Sequence, residues 1–169
     1  LEAVVASNNG AVRVASIYFP NGNPIATPKY DFKLAFMRRL EAHAASLLEL
    51  QEPLILAGDY NVIPEVDDVH DPAAWAGDAL FQPATRQQFR RLLNLGLTDA
   101  VKANDPRGHQ YTFWDYQAGA WQKDWGIRID HLMCSPQAAD RLKSINIYRN
   151  ARGMEKPSDH VPVIGTFAD

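Results

Sequence analysis

The chain has 169 residues, 46% of them hydrophobic and 22% charged, with a formal net charge of -3. That length and composition suit one globular domain with its own core. No apolar run nears the ~20 residues a membrane helix needs, so a spanning segment is excluded. The single cysteine, Cys134, excludes an internal disulfide and suits a reducing compartment. The slight acidity argues against wholesale coating of nucleic acid. It still allows a site that grips phosphates locally, since salt confines surface fields to ~10 Å. Leu1-Glu2-Ala3-Val4 has no basic start followed by a long apolar stretch, so no signal peptide is expected.

Residues 4–7 and 12–18 flank Asn8-Asn9-Gly10 and predict a hairpin, because Asn-Gly is a strong short-turn signal. Pro20-Asn21-Gly22-Asn23-Pro24 ends the second strand and opens a loop reaching at least Pro28. Leu34, Met37, Leu40, Ala44, Leu47 and Leu48 recur at helical spacing, predicting an amphipathic helix over about 31–51 with Pro53 just beyond. Leu54-Ile55-Leu56-Ala57 then reads as a buried strand that ends in Gly58, Asp59 and Asn61. Residues 63 to about 83 are rich in Asp and Pro and are expected to form a surface excursion. Thr85 is the expected N-cap of a helix carrying Phe89, Leu92 and Leu93, with Gly96 as its stop. Further strands are expected at 111–116, 126–133, 145–148 and 161–167, with a short helix at 137–143. Strands and helices in mixed order indicate an α/β fold, and no internal repeat is present.

Three strand-edge places combine carboxylates with polar partners: Asp59 with Asn61, Asp130 within Arg128-Ile129-Asp130-His131, and Ser158-Asp159-His160. A charge at Asp130, between Ile129 and Leu132, is costly unless it is paired or bound to a metal. The bland alternatives are a carboxylate satisfied by an arginine or by backbone amides, and at Asp159-His160 a capped turn with a surface histidine. Coincidence favours a site, because three separate edges each offer oxygen ligands. Such ligands suit Mg²⁺ or Mn²⁺, and one cysteine cannot make a thiolate zinc centre. Neither Ser16 nor Ser158 sits in a Gly-x-Ser-x-Gly elbow, and no phosphate-binding Gly-x-x-x-x-Gly-Lys-Ser/Thr stretch exists.

Five segments occur in one order: Ser16-Ile17-Tyr18-Phe19-Pro20-Asn21-Gly22, Gly58-Asp59-Tyr60-Asn61-Val62-Ile63-Pro64, Tyr111-Thr112-Phe113-Trp114-Asp115-Tyr116, Arg128-Ile129-Asp130 and Lys156-Pro157-Ser158-Asp159-His160-Val161-Pro162. Together they closely resemble the exodeoxyribonuclease III and abasic-site endonuclease family of the endonuclease/exonuclease/phosphatase superfamily. The resemblance runs essentially from end to end. It implies a four-layer α/β sandwich and a metal-dependent DNA-repair nuclease, both 3′-to-5′ exodeoxyribonuclease and abasic-site endonuclease. Asp59 resembles the carboxylate that activates water, and Asn61 the amide that holds the scissile phosphate. His160 resembles the phosphate-contacting residue oriented by Asp130, Asp159 a metal-side carboxylate, and Tyr18 a phosphate or leaving-group contact. Phe113, Trp114 and Ile129, with Arg128, resemble the substrate pocket that admits a flipped sugar lacking its base. The implied cofactor is Mg²⁺ or Mn²⁺, the partner is double-stranded DNA with abasic sites or 3′ ends, and the setting is the bacterial cytosol and nucleoid.

Family members begin with a strand carrying an Asn and a second strand ending in Gln-Glu, whose Glu is the principal metal ligand. Neither occurs here, so residues 1–169 are expected to be one domain corresponding to the C-terminal two thirds of the family's nuclease domain. The chain alone is expected to be inactive or very weak, because losing the main ligand strips charge stabilisation. A last strand short of neighbours would also favour self-association. Two rival readings stand beside the nuclease: a phosphoinositide or sphingolipid phosphohydrolase of the same superfamily, and a non-catalytic DNA-binding module. The Arg86/Arg90/Arg91 face of the third-quarter helix fits DNA, or is simply a solvated surface.

Overall fold

The hairpin strands β1 (Glu2–Ser7) and β2 (Gly10–Tyr18) pair antiparallel and start a five-stranded sheet. A computed structural model describes residues 1–8 and 10–168; Asn9, in the predicted turn, lies outside the described residues. From β2 the chain enters α1 (Pro28–Leu48) and returns as β3 (Leu54–Asp59), parallel to β2. A parallel neighbour needs such a crossover, and the helix supplies it. Pro28 opens α1 with its φ already helical, and the stripe Lys33, Met37, Leu40, Ala44 and Leu47 is buried. The predicted boundaries of 31–51 therefore move three residues towards the N-terminus.

The stretch after β3 corrects the expected surface excursion. It holds a 3-10 turn at Val66–Asp68 and the single-turn helix α2 (Pro72–Trp75). Ile63, Val69, Ala79, Leu80 and Phe81 within it are buried with Ile127 and Ile129 in one cluster. Their irregular spacing among Asp and Pro hid this core from any periodic reading. The helix α3 (Pro83–Asn94) follows, capped at Gln82 rather than Thr85. Thr85 is buried inside it, donating its hydroxyl to the Ala79 carbonyl at 2.7 Å. The helix stops at Gly96 as expected, with that residue at φ 103.

After β4 (Thr98–Asp99) and α4 (Ala100–Asn104), residues 111–116 make only isolated bridges. Phe113 pairs with Ile127 and with His160, which corrects the predicted strand: its neighbours lie on two different segments, so no ladder extends. The strand β5 (Asp130–Cys134) runs antiparallel to both β3 and β4, closing the order β1-β2-β3-β5-β4. The short helix α5 (Pro136–Ala139) leads to β6 (Leu142–Ile147) and, past a 3-10 turn, to β7 (Val163–Phe167). β7 is not short of every neighbour, since it pairs antiparallel with β6 in a second sheet.

α1 and α3 cover one face of the larger sheet, with Met37, Leu40, Phe89 and Leu92 packed on Ala15, Leu54, Leu56 and Met133. The small sheet lies against the opposite face, where Ile145, Val163 and Phe167 meet Ile55, Leu132 and Cys134. Helices, large sheet and small sheet stack in that order, an α/β architecture. No described helix is long and apolar enough to cross a membrane.

Candidate active site

Near its end β3 passes too close to β2 to carry a side chain. Gly58 has φ +144, and a Cβ there would lie 1.9 Å from the Ile17 carbonyl oxygen, so only glycine lets the strand pass. The next residue, Asp59, is paired in register with Tyr18 on β2 and with Asp130 on β5. Two carboxylates and a phenol are thereby set at one end of three adjacent strands.

Each carboxylate has its own partner. Asp59 accepts from the Asn61 main-chain N–H at 2.8 Å and from Asn61 Nδ2 at 2.9 Å. Asn61 sits at φ 48, the left-handed region that Asn tolerates better than most residues. Its second Nδ2 hydrogen goes to the Phe19 carbonyl at 3.0 Å. Asp130 instead pairs with His160, whose Nδ1 lies 2.9 and 3.1 Å from the two carboxylate oxygens. The structure therefore brings Asp59, Asn61, Asp130 and His160 to one sheet end, with Tyr18 exposed beside them.

The electrostatics follow from this geometry. Burial pushes the Asp59 carboxyl up to about 6; the Asn61 N–H opposes the rise and Asp130 adds to it. For His160, burial works downward, but the hydrogen bond and charge of Asp130 outweigh it, and the net shift is upward. A carboxyl whose pKa lies nearer neutrality suits a base, and a histidine whose pKa is raised beside a carboxylate suits an anionic ligand. Asp159 is half-buried next to His160, and its carbonyl accepts from the Trp114 N–H at 2.9 Å.

Three sequence-predicted substrate contacts are corrected. Arg128 is 1% exposed, with Nε and Nη2 donating to the two Asp68 oxygens at 2.8 Å and Nη1 to Asp99 at 2.7 Å. A guanidinium buried against two carboxylates, with a further Nη1 contact to His131 at 3.0 Å, is turned into the core rather than towards a ligand. Trp114 is fully buried with Tyr111 and Val161, and its indole N–H donates to Asp124 at 3.0 Å. Ile129 is buried in the cluster around Ile127. Phe113 alone of the four stays half-exposed, its ring 5.0 Å from the His160 ring. It borders a cleft of about 240 Å³ that also takes in His70, Trp75, Gln117, Trp125 and Ile127.

Sequence reasoning assigned no role to several supporting groups. Thr112 Oγ1 accepts from the Ile129 and Asp130 N–H groups, both at 3.1 Å, and so seats Asp130. Ser158 Oγ accepts from the His160 N–H at 3.1 Å. Asn21 Nδ2 donates to Asn61 Oδ1 at 3.3 Å. All three lay inside the quoted segments, so position within a segment was the available signal. The arginines of α3 are mostly engaged: Arg91 with Glu41, and Arg86 with Glu65 and the Pro64 carbonyl.

As for a metal, Asp59 and Asp159 offer hard oxygen donors. Among the described residues, however, no three His, Cys, Asp or Glu groups gather into a cation site. Asp130 is occupied by His160, and Asp59 by Asn61. These residues alone do not complete a coordination shell for Mg²⁺.

The sequence profile of the Endonuclease/Exonuclease/phosphatase family matches residues 2–160. The chain belongs to this family. Exodeoxyribonuclease III from Haemophilus influenzae is 30% identical over 166 residues, which cover 94% of this chain and 62% of that protein. An exodeoxyribonuclease from Bacillus subtilis is 29% identical over 153 residues, covering 90% of this chain and 58% of that protein. The chain thus spans about three fifths of the curated relatives it matches. A 3′ phosphatase from Neisseria bound to a product DNA hairpin superposes with a TM-score of 0.92 at 33% identity, over 99% of this chain and 64% of that one. An AP endonuclease from Archaeoglobus fulgidus gives 0.89 at 30% identity, over 98% of this chain and 70% of that one. This family member therefore shares the fold of enzymes whose names describe work on DNA ends and abasic sites.

Proposed function

We propose that the chain carries the hydrolytic site of a DNA-repair nuclease, acting on phosphodiesters at abasic sites and 3′ ends of double-stranded DNA. The observation that carries this reading is the register pair Asp59–Asp130, with Asn61 turned onto one carboxylate and His160 onto the other. Asp59 takes a proton from the attacking water, whose oxygen bonds to phosphorus as the bond to the 3′ oxygen breaks. The departing 3′ oxygen takes a proton from bulk water, which leaves a 3′-hydroxyl on one strand end and a 5′-phosphate on the other. His160, its pKa raised by Asp130, stands against the negative charge growing on the phosphate oxygens. Asn61 holds the Asp59 carboxylate towards the phosphate, and the exposed Tyr18 phenol reaches it from β2.

The cofactor in this reading is a divalent cation, Mg²⁺ or Mn²⁺, which supplies charge neutralisation at the phosphate. Asp159 is the carboxylate we assign to its side of the site. The incomplete donor set supports slow turnover by this chain. The aromatic cleft beside Phe113 favours a nucleotide over an inositol ring, since stacking on aromatic faces is how unpaired nucleotides are held. Exposed Val4 and Val5 on β1 support self-association, which light scattering would detect.

The testing experiment is incision of a duplex carrying one abasic site, with Mg²⁺ and with chelator. Metal-dependent nicking that leaves a 3′-hydroxyl supports the reading. Release of phosphate from inositol phosphates without nicking would replace it with the phosphohydrolase, and binding without either reaction with the non-catalytic module.

A further inference from the structure

Lys33 occupies the core-facing stripe of α1, a full turn before Met37, and is 0% exposed. A methionine would fill that volume without the cost of stripping water from an ammonium. The lysine is therefore in an expensive place, and its contacts identify what it holds. Nζ donates to the main-chain carbonyl of Asn61 at 2.5 Å and to that of Asn21 at 2.9 Å. Both acceptors are backbone dipoles; the carboxylates of Asp78 and Asp59 act on the ammonium through space.

The loop before α1 is shaped to this side chain. Gly22 lies at φ +90, and a Cβ there would come within 2.6 Å of Lys33 Cδ, so the loop closes directly over the lysine stem. The same loop turns Asn21 Nδ2 onto Asn61 Oδ1 at 3.3 Å. Asn61 is thus gripped from beneath at its carbonyl and from the side at its amide, while its own N–H groups face Asp59. A residue at φ 48 needs its surroundings to over-determine it.

We infer that Lys33 is a positioning residue: its buried ammonium clamps the Asn61 carbonyl and so holds the Asp59–Asn61 turn in the conformation that faces the phosphate. The inference rests on the nuclease reading for its consequence, but not for its geometry. A charge-assisted bond to a carbonyl is about twice as strong as a neutral one, which suits it to fixing a left-handed turn. Burial pushes the Lys33 ammonium down to about 7, and the charges of Asp78 and Asp59 oppose that fall.

The test compares wild type with Lys33→Met, which keeps length and removes charge and donors. Amide hydrogen exchange is followed by NMR at Asn61 and along β3. The clamp predicts exchange at the Asn61 N–H at least about 30-fold faster in the variant, with the β3 amides changed less than about 3-fold. In the cleavage assay kcat should fall about 100-fold while KM stays within about 3-fold. Unchanged exchange at Asn61, or acceleration spread evenly over β3, would overturn the inference and leave Lys33 an ordinary core residue. Should the variant not fold, scalar coupling across the hydrogen bond from Lys33 Nζ to the Asn61 carbonyl in wild type decides instead: its presence in a slowly exchanging ammonium supports the clamp, and its absence rejects it. A wild-type chain that cuts no DNA would defeat the nuclease reading alone, since the exchange measurements judge Lys33 without turnover.

Discussion

Asp59 and Asp130 face each other across the antiparallel β3–β5 pair, yet each carboxylate is satisfied by a different neighbour, Asn61 for one and His160 for the other. Two like charges placed this close raise the cost of ionising both. The division of partners resolves that conflict by making one a base and the other a companion to a cation.

Asp59 is the first consequence. Its folded pKa of about 6 lies above the ordinary carboxyl value of 3.8, so its contribution to stability is full at low pH and is lost as pH rises through about 6. Carboxyl NMR of the metal-free chain should show this titration. In Asp59→Asn the corresponding loss of stability between about pH 4 and 6 should disappear from thermal melts.

His160 gives the opposite limb. Its raised pKa means that the ion pair stabilises the fold below the ordinary imidazole range and ceases to do so as pH climbs through the raised value. Asp130→Asn should lower the His160 pKa in imidazole NMR titrations, and should move the alkaline limb of kcat to lower pH. The rate itself should drop by about 10²–10⁴.

Arg128 should behave as an anchor. Replacing it with Met leaves Asp68 and Asp99 buried without their partner, a loss of about 3–5 kcal/mol by urea denaturation. A substrate contact would instead change KM and leave the denaturation midpoint in place.

The aromatic cleft separates two tryptophans. Trp125, 43% exposed, should weaken binding of DNA by about 1–3 kcal/mol per stacked base when replaced by Ala, with the fold intact. Trp114→Ala should cost about 3–5 kcal/mol of stability, because its ring is enclosed. Fluorescence anisotropy and denaturation together distinguish the two.

Much of this was legible in the residues. The apolar run of β3 ending at Asp59, and the Asn-Gly between β1 and β2, are local signals that tertiary packing did not override. Lys33 was not legible in the sequence, where the helical stripe begins at Leu34; only coordinates place it on the buried face and reveal what it grips. The core within residues 62–82 was not, because its apolar residues follow no period and are organised by the buried Asp68–Arg128 pair, 60 residues apart in sequence. The same pair explains the misplaced Arg128: a cation beside a site residue looks like a ligand contact until its partner is located.

The most direct measurement is incision of a 5′-labelled abasic duplex with Mg²⁺ by wild type, Asp59→Asn and His160→Asn. The account predicts slow, metal-dependent nicking by wild type that leaves a 3′-hydroxyl and is lost in both variants. Nicking that persists at the same rate in either variant would contradict it.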